Sequence, residues 1–279
     1  IAQKVNAIAV SANDKDALVP VLKKAQERGI IVISWDSGVA PEGRAMHLNP
    51  SSNSLIGNMC VKLAADNLPE GGEVAILSAT ATSTNQNTWI EEMKKVLPNY
   101  KGINVVDTVY GDDLADKSYR ETQGLIQKHP NLKAVIAPTS VGIVAAAQAV
   151  SDGGMTGKIN VAGLGLPSEM AGHVKSGASK SFAIWNPIDL GYAATTIAYN
   201  LATGKAKEFV DKIVEGRLRK EFFGQVVLTE QTFMGPGGDG KMTVAQYLKG
   251  EEKAAGGPIK VEGFVRYALG EGIEKKTTD

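Results

Sequence analysis

The sequence predicts an α/β protein built on parallel sheet, and three observations carry that reading. Strand-like apolar runs alternate with helix-like segments along most of the chain. Those runs are nearly continuous in apolar residues, as strands are when helices cover both faces of their sheet. Glycines stand where the helical periodicity stops, at Gly29, Gly153-Gly154 and Gly177. In order, the expected strands are residues 6–10, 31–35, 74–78, 105–110, 134–138, 159–163 and 181–185. Between most of them lie segments of 3.6-residue periodicity at 16–28, 54–68, 87–97, 115–129, 141–151 and 168–176, with a last helix at 190–202. The opening segment IAQKV reads as the end of a helix that runs straight into the first strand, so the pattern is entered midway.

Size and punctuation divide this pattern into two lobes. With 279 residues and 43 % hydrophobic content, the chain can bury a sizeable core. Two polar, turn-rich stretches, HLNPSSN at 47–53 and Trp185-Asn186-Pro187, read as crossings between lobes, since proline fixes its own φ and restricts its predecessor. The expected first lobe is therefore residues 1–48 plus 187–225, the second 49–185, and 226–279 is a tail without an assigned place. Both lobes are expected to be doubly wound parallel sheets joined by a hinge.

Composition excludes several classes. Lys+Arg and Asp+Glu both number 30, with no dense basic cluster, so nucleic-acid binding has no support. No apolar run approaches the roughly 18 residues of a membrane span, and no charged and apolar leader is visible at Ile1. Cys60 is the only cysteine, which excludes an internal disulfide and a thiolate zinc cluster. His47, His129 and His173 are scattered without metal-ligand spacing, so no metal or other cofactor is expected. Residues 235–243, GPGGDGKMT, come close to a phosphate-binding loop, but Met242 stands where Ser or Thr must ligate magnesium. The same run as a dinucleotide fingerprint follows a weak strand, and Pro236 removes one N–H. A glycine-rich turn is the better reading. GLGLPSEM, after the sixth strand, lacks the third glycine.

The candidate site lies at strand carboxyl ends, where open α/β sheets take their ligands. Trp35-Asp36 and Trp185-Asn186 each end an apolar run with a flat ring beside a hydrogen-bonding group, a pairing that suits a sugar's C–H face and hydroxyl rim. Asn85 and Gln86 open the third helix, where short polar side chains gather. Simpler roles compete. Asp36 is also an ordinary turn residue before Ser-Gly, Asn85 an ordinary cap, and Trp89, spaced with Met93 and Val96, reads as core.

The runs NAIAVSANDKDALVPVLKKAQERGIIVISWDSG, TSTNQNTW, AVIAPTSVGIVAAAQAV and GLGLPSEMAGHVKSGASKSFAIWNPIDLG resemble the periplasmic sugar-binding proteins of ABC importers, in the ribose-binding type of fold. They are most similar to the rhamnose-binding and autoinducer-2-binding members. The resemblance runs from about Asn6 to Thr203, fades beyond Phe209, and does not reach 224–279. It implies two hinged lobes closing on one small ligand, no enzymatic chemistry, a monomer, a membrane permease as partner and a periplasmic location. It also implies two β-α units ahead of Ile1, with a signal peptide before them. It assigns ligand contacts to Asp36, Asn85 and Gln86, and backbone contacts to Pro138 and Ser140 in the APTS turn. The autoinducer-2 receptors resemble the stretch at Asn85 but carry Asp there. An amide adds donors to an acceptor-only position, which favours a neutral sugar such as a deoxyhexose. Two other classes share the architecture or the tail: the ligand-sensing core of a transcription regulator, and an α/β enzyme using the glycine-rich segment.

Overall fold

A computed structural model describes residues 1–204, 228–237 and 240–262. The chain divides into two compact units, Ile1–Lys207 and Glu208–Asp279. The expected first-lobe segment 187–225 straddles that division, and its residues 205–225 lie outside the described residues.

The first unit follows the alternation of the sequence: β1 (Ala7–Val10), α1 (Val19–Glu27), β2 (Ile31–Trp35), β3 (Met46–Leu48), α2 (Asn53–Ala65), β4 (Gly72–Ser78) and α3 (Thr84–Val96). It continues through β5 (Ile103–Tyr110), α4 (Ala115–Lys128), β6 (Leu132–Ala137), α5 (Ser140–Asp152), β7 (Asn160–Gly163), α6 (Pro167–Ser176) and α7 (Pro187–Ala202). The strands form two separate, wholly parallel sheets, ordered β1-β2-β3 and β5-β4-β6-β7.

Strand pleating explains why each sheet is wound on both sides. Successive side chains of β4 and β6 point to opposite faces. Ala75, Leu77, Val135 and Ala137 join Leu125, Ile143, Ala146 and Met170 in one core. Val74, Ile76, Ala134 and Ile136 join Ile56, Cys60, Trp89 and Met93 in another. In the smaller sheet, Val32 packs with Leu22, Ala25 and Val39, while α7 packs against β1 and β2. The chain thus leaves the larger sheet after β7 and contributes a helix to the smaller one.

Local chemistry sets the helix starts. The Ser52 hydroxyl accepts from Leu55 N–H at the start of α2, Thr139 from Gly142 N–H at α5, and Asn186 from the N–H groups of Ile188 and Asp189 at α7. Pro187 follows Asn186 in the first turn, where a missing N–H costs nothing.

Three expectations are corrected here. Residues 1–5 form a turn closed by Lys4 N–H to Ile1 O (3.1 Å), with Lys4 at φ 51°, and not the end of a helix. Five residues are too few to sustain helix without packing. Residues 181–185 are not a ladder strand: Ala183 alone bridges Leu164. The three-residue strand β3, too short for periodicity to reveal, occupies part of the stretch expected as a crossing.

In the second unit, Thr232 and Thr243 bridge antiparallel ahead of α8 (Val244–Ala255). Thr243 and Gln246 form a reciprocal capping box. The rings of Phe233 and Tyr247 stack 3.7 Å apart. The glycine-rich stretch is thus the connection between the two bridging threonines, with Gly238 and Asp239 outside the described residues.

Candidate ligand-binding cleft

The segments that follow β1, β2, β4 and β5 meet where the two sheets turn their carboxyl ends toward each other. Asp36, directly after β2, takes a left-handed φ of 57°, a conformation that Asp tolerates better than most residues. Its N–H donates to Leu48 O (3.0 Å). One carboxylate oxygen accepts from Ser11 Oγ (3.4 Å) on its own side. The other accepts from Asn85 Nδ2 (3.4 Å) on α3 of the larger sheet. Asp36 and Asn85 are therefore brought together from different sheets.

Asn85 is oriented for this role. Its Oδ1 accepts from Ser83 Oγ (3.0 Å) and Gln86 N–H (2.7 Å), leaving Nδ2 to face Asp36. The half-buried Asp36 carboxyl is pushed above the usual aspartate range, first by burial. The hydrogen bonds from Asn85 and Ser11 oppose that shift, and the negative charge of Asp113 adds to it. Asp113 itself, after β5, is left-handed at φ 54° and accepts from Thr139 Oγ1 (2.6 Å). Two carboxylates and an amide thus converge, a set that accepts more hydrogen bonds than it donates and suits a ligand rich in hydroxyls.

The remaining candidates take other places. Gln86 is 4 % exposed: its Oε1 accepts from Ser78 Oγ (3.3 Å) and its Nε2 donates to Pro138 O (2.5 Å), tying the end of β4 to the end of β6. Gln86 and the Pro138 carbonyl therefore spend these groups on each other. Ser140 is half-buried in the first turn of α5. Trp35 is half-buried at the end of β2. The ring of Trp185 lies 5.5 Å from that of Trp89 and packs on the larger sheet's core, and Asn186 caps α7 while also donating to Asp189 Oδ2 (2.7 Å). Trp89 is core, 1 % exposed, with its N–H satisfied by Asn53 Oδ1 (2.9 Å). Ser11, Asp113 and Thr84 were not singled out from sequence. Thr84 lies in the quoted TSTNQNTW run, and Asp113 in an acidic pair after a strand, which was the available signal. No group of three or more potential metal ligands occurs among the described residues, and no helix there is long and apolar enough to cross a membrane.

Two parallel, doubly wound sheets with facing carboxyl edges and polar groups from both define a two-lobed α/β binding protein. Residues 1–206 match the family model described as Periplasmic binding protein domain, and the chain belongs to that family. Among solved structures, it is similar to an ABC transporter solute-binding protein from Clostridium phytofermentas with bound L-rhamnose. The identity is 38 % and the TM-score 0.71, covering 73 % of this chain and 65 % of that one. It is also similar to LsrB from Clostridium saccharobutylicum in complex with AI-2, at 25 % identity and a TM-score of 0.69, covering 73 % and 66 %. The carboxyl-terminal part has a different affinity. Residues 190–271 match the model described as Elongation factor TS. The chain is 33 % identical over 161 residues to Elongation factor Ts of Rhodospirillum centenum, covering 57 % of this chain. It spans 49 % of the length of that curated relative and slightly less than two thirds of the two solved structures. The second family model thus begins inside α7 and takes in the tail that no sequence motif placed.

Proposed function

We propose that the first unit captures a small neutral sugar, of the rhamnose-like deoxyhexose class, between its two lobes for an ABC importer. It acts by binding and closure, without catalysis, in the periplasm, and hands the sugar to a membrane permease. The lobes in this reading are residues 1–48 with the part of 187–225 that lies in the first unit, and 49–185. The observation that carries it is the Asp36–Asn85 hydrogen bond, which joins groups from two different sheets at the edge where ligands enter such folds. A hydroxylated ligand can insert there, donating to Asp36 and accepting from Asn85. Asn85 in place of a second acid on that segment favours a neutral sugar over autoinducer-2 as ligand. The bound L-rhamnose of the Clostridium phytofermentas protein supports the same class. Asp36, Asn85 and Ser140, with Trp35, are the proposed ligand contacts; Gln86, Pro138, Trp185 and Asn186 support them.

A thermal-shift and calorimetry panel of pentoses, hexoses, deoxyhexoses and autoinducer-2 tests this reading. Stabilisation by a deoxyhexose supports it. Stabilisation by autoinducer-2 alone reassigns the ligand, and no response to any of them rejects it.

The match over 190–271 favours a second reading for the other unit: residues from 208 onward form an elongation factor Ts segment with no part in sugar capture. Sugar affinity that stays unchanged when α8 is disrupted by Leu248→Pro supports that separation.

A further inference from the structure

The segment after β4 carries three threonines at alternate positions, Thr80, Thr82 and Thr84. None is needed to build the Asp36–Asn85 pair, yet all reach across the cleft. Thr80 Oγ1 donates to Asn13 O at 2.6 Å, Thr82 Oγ1 faces the same carbonyl at 3.3 Å, and Thr84 Oγ1 donates to Gly38 O at 2.7 Å. Asn13 follows β1 and Gly38 follows β2, so every acceptor belongs to the smaller sheet and every donor to the larger. The acceptors are backbone carbonyls of segments with contacts of their own. The Asn13 segment is held by Asp14, whose carboxylate accepts from the N–H groups of Asp16 and Ala17. The Gly38 segment lies against the His47 ring, which an added Cβ would meet at 3.1 Å.

The geometry points to Thr80 and Thr84 as positioning residues that latch the lobes shut, setting ligand affinity through closure and not through contact with the ligand. Thr82, with the longer distance, shares the Asn13 carbonyl with Thr80 and contributes less. The latch acts against a built-in opposition, because closure also brings the carboxylates of Asp36 and Asp113 toward each other from different lobes. Hydroxyl-to-carbonyl bonds that form only on closure raise the closed population, and apparent affinity scales with the population competent to bind. Each neutral hydrogen bond weighs roughly two- to tenfold in such an equilibrium.

The test uses the full chain with spin labels on cysteines introduced at the exposed Lys23 and Gln127, one in each lobe; Cys60 is buried and stays unlabelled. Interlobe distances and L-rhamnose affinity are read together. Thr80→Val with Thr84→Val keeps the side-chain shape but removes both hydroxyls. It is expected to add a longer-distance population and to weaken L-rhamnose binding about tenfold, ~1.4 kcal/mol. Thr80→Ser with Thr84→Ser, which restores the hydroxyls, is expected to return both readouts to the parent values. Thr88→Val removes a hydroxyl bonded only within α3, to Thr84 O, and is expected to change neither. Unchanged distances in the valine pair overturn the latch, as does weaker binding without wider separation, or an equal shift from Thr88→Val. The affinity arm rests on the sugar-capture reading. If the parent binds no member of the sugar panel while the valine pair still opens, that reading fails and the latch stands.

Discussion

Replacing Asp36 by asparagine separates the candidate site's contribution to binding from its contribution to folding. The substitution keeps the side-chain shape and the left-handed backbone at φ 57°, which Asn adopts as readily as Asp. It exchanges an ionised acceptor, facing Ser11 Oγ and Asn85 Nδ2, for an amide. Hydrogen bonds to a charged group contribute about 1.5–3 kcal/mol. At about 1.4 kcal/mol per decade, L-rhamnose affinity should fall by roughly ten- to a hundredfold. Stability should move the other way or not at all. The folded-state pKa of Asp36 lies above its unfolded value, chiefly through burial. Above that folded pKa the ionised group therefore costs the folded state free energy, and the neutral amide removes the cost. Alanine would confuse the two readouts, because a left-handed residue without a short polar side chain adds roughly 1–2 kcal/mol of backbone strain. Calorimetry with L-rhamnose and a thermal melt of the ligand-free protein at pH 7 give both numbers. A twofold or smaller change in affinity for a folded Asp36→Asn protein refutes the assignment. A large loss of melting temperature refutes the argument that burial of this charge is unfavourable.

Three further outcomes follow from the packing and electrostatics. Gly57 lets α2 approach α3: an added Cβ would lie 2.5 Å from Glu92 Cβ and 2.9 Å from Trp89 O. Gly57→Ala should therefore cost about 1–3 kcal/mol, seen as a melting temperature lower by roughly 2–4 °C per kcal/mol; an unchanged melt would show that the helices part freely. Burial pushes the Cys60 thiol up to about 12, so iodoacetamide at pH 8 should label it only at the rate of unfolding, and fast labelling of native protein would contradict its place in the core. Hydrogen bonds from Lys128 and then His129 hold Asp107 down to about 2, below the ordinary 3.8. Its contribution to stability is thus complete above pH 3.8 and lost as pH falls through about 2. Exposed Lys128 screens the pair, so the size is on the order of 1 kcal/mol. Denaturant melts of Asp107→Asn between pH 5 and 2 should show that much less loss than the parent.

Legibility in the sequence depended on how local each signal was. Continuous apolar runs and helical periodicity are properties of neighbouring residues, so the strands and helices from Ala7 to Ala202, the three-residue β3 apart, could be read with ends shifted by a few positions, and only the run at 181–185 was read as a strand that does not form. Trp89 could be assigned to the core because its spacing with Met93 is local. Trp185 could not, because the ring that claims it, Trp89, is distant in sequence and meets it only when Ala183 bridges Leu164. The hydrogen bond between Gln86 and Pro138 was illegible for the same reason. Nothing in either segment states that the amide and the carbonyl satisfy each other across two strand ends. Asn186, read as the polar end of an apolar run, also accepts from the N–H groups of its own following turn.

The sequence by itself determined the fold class, the alternation of elements, and the positions of Asp36 at the end of a strand and Asn85 at the start of a helix. Its hydrophobic periods and turn residues act over one or two turns of chain, and those positions need nothing more. Only the tertiary structure decided the order of strands within the two parallel sheets, β1-β2-β3 and β5-β4-β6-β7. It alone set Thr80 and Thr84 against the carbonyls of Asn13 and Gly38. Those contacts join residues 46 and 67 positions apart, a separation over which no local pattern carries information. Closing such loops is favourable only once the cores on both faces of the sheets have formed.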